Sequence, residues 1–128
     1  MSMNDNLLEL TVKDAFGKVG RAADASLDID VYDGRVYVGL VKDECQIAEC
    51  YFYLNNLFKE AMLEYLQVEG EYRMKGIGGS LAKAVEDVCI QNGIEGIELV
   101  PKNEDARSFW LKQGYTDIEE LGMMVKYL

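Results

Sequence analysis

The sequence predicts a mixed α/β (α+β) domain, and three observations point to it. An amphipathic helical pattern opens the chain. Short strands with period-two alternation follow, separated by tight turn signals. The second half then reads strand, helix, strand, helix and two closing strands, an order that lays helices against one sheet. A length of 128 residues fits one domain, and no low-complexity tract, internal repeat or Pro/Ser-rich linker divides it. With 49% hydrophobic and 28% charged residues, the chain has enough apolar side chains for a core.

Residues 6–24 read as the first helix. Leu8, Val12, Phe16, Val19 and Ala23 recur at three- and four-residue steps, Asn4 or Asp5 stands as cap, and Gly17 and Gly20 weaken the pattern. Leu27, Ile29 and Val31 alternate with Asp28, Asp30 and Tyr32 as a half-buried strand. Asp33-Gly34 is a two-residue hairpin signal, because a type I′ turn needs positive φ at both positions. Val36, Val38 and Leu40 return beyond it. Lys42-Asp43-Glu44 turns into a strand over 45–54, Asn55-Asn56 breaks it, and a fourth strand runs over 61–68, completing an antiparallel meander. A helix over 76–92 carries Leu81, Val85 and Val88 on one stripe and stops at Asn92-Gly93. A strand over 95–100 ends at Pro101. Asn103 caps a helix over 103–113, with Glu104 and Asp105 in its first turn and Lys112 in its last. Strands near 115–119 and 123–127 close the chain.

Composition narrows the function. Thirteen basic against 23 acidic residues give a net charge of −10, which argues against nucleic acid and anionic membranes as partners. The chain has no histidine, so His triads and His metal sites are excluded, and no metal site is expected. Cys45, Cys50 and Cys89 form no C-x-x-C pair and read as small residues in a reducing compartment. The start of the chain lacks a basic stretch followed by a long apolar one, and no run reaches the ~20 apolar residues of a membrane span, so a cytoplasmic protein is expected.

Chemistry concentrates in Leu66-Gln67-Val68-Glu69-Gly70-Glu71-Tyr72-Arg73-Met74-Lys75-Gly76-Ile77-Gly78-Gly79-Ser80-Leu81, where a strand ends and glycines open a helix. Free backbone N–H groups and the positive dipole end form an anion site there, with Arg73 and Lys75 adding charge. A diphosphate is the expected guest; a tight strand-to-helix turn that binds nothing is the competing reading. Neither Gly-x-x-x-x-Gly-Lys-Ser/Thr nor a Gly-x-Gly-x-x-Gly dinucleotide fingerprint is present.

Arg73-Met74-Lys75-Gly76-Ile77-Gly78 resembles the signature Gln/Arg-x-x-Gly-x-Gly/Ala of the GNAT superfamily of acyl-CoA-dependent N-acyltransferases. A second element is similar too: Asn103, Ala106, Phe109-Trp110 and Gly114-Tyr115 follow at the family's spacing. The resemblance covers roughly 35–128. It implies one acyltransferase domain over 1–128, with strands 61–68 and 95–100 splayed, and a shortened N-terminal region, since only about 25 residues precede the meander.

It also implies acetyl-CoA as cofactor. Leu66, Gln67 and Val68 would pair with the pantetheine arm. Arg73, Met74, Lys75, Gly76, Ile77 and Gly78, with Gly79 beside them, would hold the pyrophosphate. Asn103 would contact the cofactor, cap its helix, or do both. Trp110 occupies the position of a Tyr whose hydroxyl faces the CoA sulfur in relatives; an indole N–H donates a hydrogen bond but is no practical proton source. Tyr115 and Tyr127 are phenols elsewhere, and neither is assigned as acid.

The implied reaction is direct attack of an amine, of a small molecule or of a protein, on acetyl-CoA. Glu64 is the base candidate: strict alternation would place it among Met62, Leu66 and Val68, an apolar setting that raises a carboxylate's pKa. Glu64 at an open rim, attracting cations, is the other reading. The acidic balance favours a cationic acceptor. The family's habit of pairing through C-terminal strands implies a homodimer, to which Met123, Met124, Val125 and Leu128 are suited. A GNAT-fold module that binds CoA, or nothing, and works through protein contacts is the second class.

Overall fold

The computed structural model describes residues 3–128, and side chains from residue 5 onward; Asn4 as a cap lies outside the described side chains. The elements are α1 (Met3–Ala23), β1 (Ser26–Tyr32), β2 (Arg35–Lys42), β3 (Cys45–Asn55), β4 (Glu60–Val68), α2 (Ile77–Gln91), β5 (Gly96–Leu99), α3 (Glu104–Lys112), β6 (Thr116–Ile118) and β7 (Met123–Tyr127), with 3-10 turns at Gly70–Tyr72 and Glu119–Leu121. They form one seven-stranded sheet in the order β1-β2-β3-β4-β5-β7-β6. Every pairing is antiparallel except β4 with β5. The Asp33-Gly34 hairpin forms as expected, with φ of 52° and 78°.

One face of the sheet is the core face. Val36, Val38, Phe52, Leu63 and Ile97 are buried there against Val12 and Phe16 of α1 and Leu81, Val85 and Val88 of α2. Phe16 stacks on Phe52 at 6.1 Å. The two helices are joined where Asn92 Nδ2 donates to Thr11 Oγ1 at 2.9 Å. α3 is tied to the same face: Arg107 pairs with Asp117 on β6, and Lys126 Nζ on β7 donates to the Gln113 carbonyl at 2.7 Å. Lys126 also pairs with the buried Glu86 at 2.9 Å. Met124 and Val125 lie inside this chain's own core, so they leave only Met123 and Leu128 of the expected pairing residues at least partly exposed.

Asp5 has a larger part than that of a helix cap. Its two carboxylate oxygens accept from the N–H groups of Asp33 and Gly34, at 3.1 and 3.2 Å, tying α1 to the first hairpin.

Two irregularities shape the meander. Leu40 pairs with Ala48 but Val41 with Gln46; Tyr51 pairs with Tyr65 but Phe52 with Leu63. The second leaves Glu64 as the extra residue of a β-bulge, and a bulge resets the alternation. Leu66 and Val68 therefore share the core face with Ala61 and Leu63, while Met62, Tyr65 and Gln67 lie on the other. This corrects the expected placement of Glu64 among Met62, Leu66 and Val68: the bulge separates those residues onto two faces, and Glu64 is exposed.

Two measurements check this architecture. Asp5→Ala removes a charged acceptor from two backbone donors and should lower stability by ~1–3 kcal/mol in urea unfolding. Burial pushes the Cys50 and Cys89 thiols up, Cys89 to about 12, whereas Cys45 is exposed. In the folded protein only Cys45 should react promptly with a thiol reagent; Cys50 and Cys89 should react once it is denatured.

Candidate cofactor site

β4 and β5 are in register only from Glu60↔Gly96 to Leu63↔Leu99. The next residue on β4 is the bulged Glu64, and β5 ends at Leu99. Beyond that fork β4 continues to Val68 with β3 on one side and no strand on the other. The Glu69 N–H donates to the Ile47 carbonyl on β3 at 2.9 Å, so the Val68 carbonyl of the same trans peptide faces the gap. Along a strand the direction repeats every second residue, so Leu66 also turns its N–H and C=O toward the gap. The result is a row of backbone donors and acceptors beside an opening between two splayed strands. Gln67 lies between these residues on β4, with its side chain exposed.

The loop at the end of β4 leads straight to the start of α2. Arg73 Nε donates to the Val68 carbonyl at 2.9 Å, folding the loop back on the strand. Lys75 Nζ lies 5.2 Å from the centre of the Tyr72 ring. Met74 has a φ of 66° and is fully exposed, a costly backbone conformation for a residue with a Cβ. Gly76 is the N-cap of α2 at φ 81°, and no side chain caps the helix. The N–H groups of Ile77, Gly78 and Gly79, in the first turn, are therefore left for an anion.

Gly78 has a second duty. A Cβ there would lie 3.3 Å from the Phe109 ring and 3.8 Å from Val68, so its lack of a side chain lets α2 and α3 meet over the end of β4. The grooves beside the start of α2 are lined by Lys18, Lys42, Lys75 and Lys83 together with Gly76, Gly79 and Ser80. Asp87 lines the same groove and pairs with Lys83 at 3.4 Å, so in a chain of net charge −10 it is Lys18, Lys42 and Lys75 that give the uncapped helix start a local positive field.

The second motif divides between site and core. Asn103 caps α3, its Oδ1 accepting from the Ala106 N–H at 2.9 Å. Trp110, expected at the cofactor from its place in the motif, is only 7% exposed and is packed edge-on against Phe109 at 4.8 Å and Tyr115 at 5.1 Å. Phe109 is the aromatic residue that touches the cradle. Tyr115 is buried beside Glu86 and Cys89, and burial raises its phenol well above the usual range. Tyr127 is 82% exposed on β7. The lysine collar and the contact of Phe109 with Gly78 were not legible in the sequence: Lys18 on α1 and Lys42 at the end of β2 lie outside the motif, and only tertiary packing brings them near it.

Residues 5–115 match the family model described as the Acetyltransferase (GNAT) family. The chain belongs to the GNAT acetyltransferase family. An uncharacterized protein, YxbD, of Bacillus subtilis (strain 168) is 30% identical over 79 residues, 60% of this chain and 48% of the relative. The fold is similar to that of PaiA N-acetyltransferase from Thermoplasma acidophilum, solved in complex with coenzyme A, at a TM-score of 0.64 and 25% identity over 74% of this chain and 62% of that one. It is also similar to the ribosomal-protein-S18-alanine N-acetyltransferase of Escherichia coli, at a TM-score of 0.62 and 16% identity over 75% and 70% of the two chains. The chain thus spans about half the length of the curated relative and under two thirds of the PaiA enzyme.

Acetyl-CoA is the cofactor of this family, and the residues of this site fit it. The uncapped start of α2, with Lys75 beside it, offers N–H groups and charge suited to a diphosphate, and the Leu66 edge of β4 offers backbone groups suited to an amide-bearing arm, while the Val68 carbonyl is already taken by Arg73 Nε. Gly78→Val should lower stability by ~1–3 kcal/mol, because the new side chain overpacks against Phe109; thermal unfolding followed by near-ultraviolet circular dichroism measures it.

Proposed function

We propose that this chain is an acetyl-CoA-dependent N-acetyltransferase that moves an acetyl group onto a primary amine. The observation that carries the reading is the fork itself: a free backbone edge on β4 runs from the bulge at Glu64 to an uncapped, lysine-flanked helix start. Leu66, Gln67 and Val68 are proposed to hold the pantetheine arm, the first turn of α2 the pyrophosphate, and Asn103, beyond the end of β5, to support the cofactor while capping α3.

Bound in this slot, acetyl-CoA supplies an acyl thioester whose carbonyl carbon accepts the amine nitrogen as the carbon–sulfur bond breaks. The amine must be neutral to attack. Glu64, exposed at the fork, is proposed to take the ammonium proton directly or through one water. The leaving thiolate takes its proton from solvent, since Trp110 is buried in the core and its indole is no practical acid. The net charge of −10 favours a cationic acceptor through long-range attraction.

A second reading, a CoA-binding module without turnover, is favoured by the same packing of Trp110 where relatives carry a Tyr. Two experiments separate the readings. Calorimetry should show acetyl-CoA binding. Gly79→Glu should weaken it by about tenfold or more while leaving the helix intact, because a carboxylate in the first turn suits the dipole but repels a diphosphate. No binding at millimolar cofactor overturns both readings. Thiol release over a panel of amines should then fall by ~10²–10⁴ in Glu64→Gln; an unchanged rate and pH profile removes Glu64 from the mechanism. Rates on cationic amines should fall as salt rises from 10 mM to 1 M, as the Debye length shrinks from ~30 to ~3 Å.

A further inference from the structure

The sheet face opposite the helices carries an ordered array of rings and carboxylates. Cross-strand register places Asp30, Tyr37, Tyr51 and Tyr65 in one row over β1 to β4, and Asp28, Gly39, Glu49 and Gln67 in the next. Tyr51 and Tyr65 are stacked, 6.1 Å between ring centres and 15° apart. Tyr37 folds across Gly39, where a Cβ would lie 3.0 Å from its hydroxyl. That hydroxyl lies 2.8 Å from Gln46 Oε1 and 3.0 Å from Glu49 Oε2, and Gln46 Nε2 donates to the same Oε2 at 2.7 Å. Both contacts fall on one oxygen, which leaves Glu49 Oε1 available.

This face already accepts one cation. In the row beyond Tyr51, the Arg35 guanidinium lies 5.4 Å from the centre of the Tyr53 ring. The rows of Tyr51 and Glu49 hold no basic residue, and none of the described ion pairs involves Asp28, Asp30 or Glu49. Stacked electron-rich rings beside an uncompensated carboxylate are the chemistry that holds an organic ammonium. The same surface repels a second copy of itself, carboxylate against carboxylate.

Position ties this array to the fork. Tyr65 directly follows the bulged Glu64, and Glu49 is one strand across and one row on. With ~4.8 Å between strands and ~3.3 Å per residue, the backbone positions of Glu64 and Glu49 are roughly 10 Å apart. An acceptor reaching from one to the other needs a nitrogen at each end of a flexible chain.

We propose that Tyr37, Tyr51, Tyr65 and Glu49 form an acceptor subsite, and that the acceptor is an aliphatic diamine or polyamine. Its reacting nitrogen lies by Glu64, and its second ammonium lies over the tyrosines against Glu49. This specifies the acceptor of the acetyltransferase reading and rests on that reading.

The test compares hexamethylenediamine with hexylamine, which differ by one ammonium. With acetyl-CoA, kcat/KM should favour the diamine by about tenfold, the equivalent of ~1.4 kcal/mol. The preference should fall to within about twofold in Glu49→Gln and persist in Glu119→Gln, a distant exposed carboxylate. Binding without the cofactor is read separately from the tyrosine ring signals in NMR titrations. Those of Tyr37, Tyr51 and Tyr65 should shift saturably with the diamine, need about tenfold more hexylamine, and lose that difference in Glu49→Gln. If another amine of the panel is acetylated but neither of these two is, the acceptor assignment fails while the transferase reading stands; if CoA binds and no amine is acetylated, the transferase reading fails and the NMR titration alone decides the subsite. Equal affinity for the two amines, shifts that Glu49→Gln leaves unchanged, or tighter binding of a lysine-rich peptide than of the diamine overturns the proposal.

Discussion

The architecture hinges on a pairing that stops early. β4 and β5 are the sheet's one parallel pair, held in register over only four positions before the bulge at Glu64 and the end of β5. A parallel pair needs a crossover, and here the crossover is α2. Its start therefore falls beside the place where the two strands part. The free edge of Leu66 and Val68, the folded-back Arg73 and the uncapped first turn of α2 are all consequences of that early separation. Were the two strands paired to the end of β4, those backbone groups would bond each other and no slot would exist.

The same fork divides the electrostatics. On the helix side the lysines at 18, 42, 75 and 83 gather around the start of α2, whereas the opposite face carries Asp28, Asp30 and Glu49 among tyrosines. A net charge of −10 thus hides an uneven distribution, with lysines near the α2 start on one side of the sheet and carboxylates among tyrosines on the other. In the proposed function, the splay between β4 and β5 is where a thioester from the first side would meet an amine from the second.

Much of the fold was legible in the sequence because local rules act on every element. Alternation marked the strands, Asp33-Gly34 fixed a hairpin, Asn103 capped α3 and Gly76 opened α2. The motif also marked the loop proposed to hold the cofactor, where the structure has an uncapped helix start. The side-chain surroundings of the site were less legible. Period-two counting grouped Glu64 with Met62, Leu66 and Val68, which the structure divides between two faces, because a bulge is set by pairing with β3 and leaves no mark in β4 alone. Trp110 was read from its place in a motif, yet its ring is fixed by Phe109 and Tyr115. Asp5 looked like a cap, and its real partners are backbone groups 28 and 29 residues away. The tyrosine array needed the register of four strands, which no single segment contains.

The narrowness of the β4–β5 junction also bears on how the chain opens. β1 to β4 pair with immediate sequence neighbours, and β5, β6 and β7 pair among themselves; in the sheet, four register positions join the two groups. Such a junction is a seam within the sheet, where few backbone hydrogen bonds resist opening. A cofactor held as proposed, by β4 on one side and by α2 and α3 on the other, would act as a staple across that seam, stabilising the joined state by binding it in preference to the parted one.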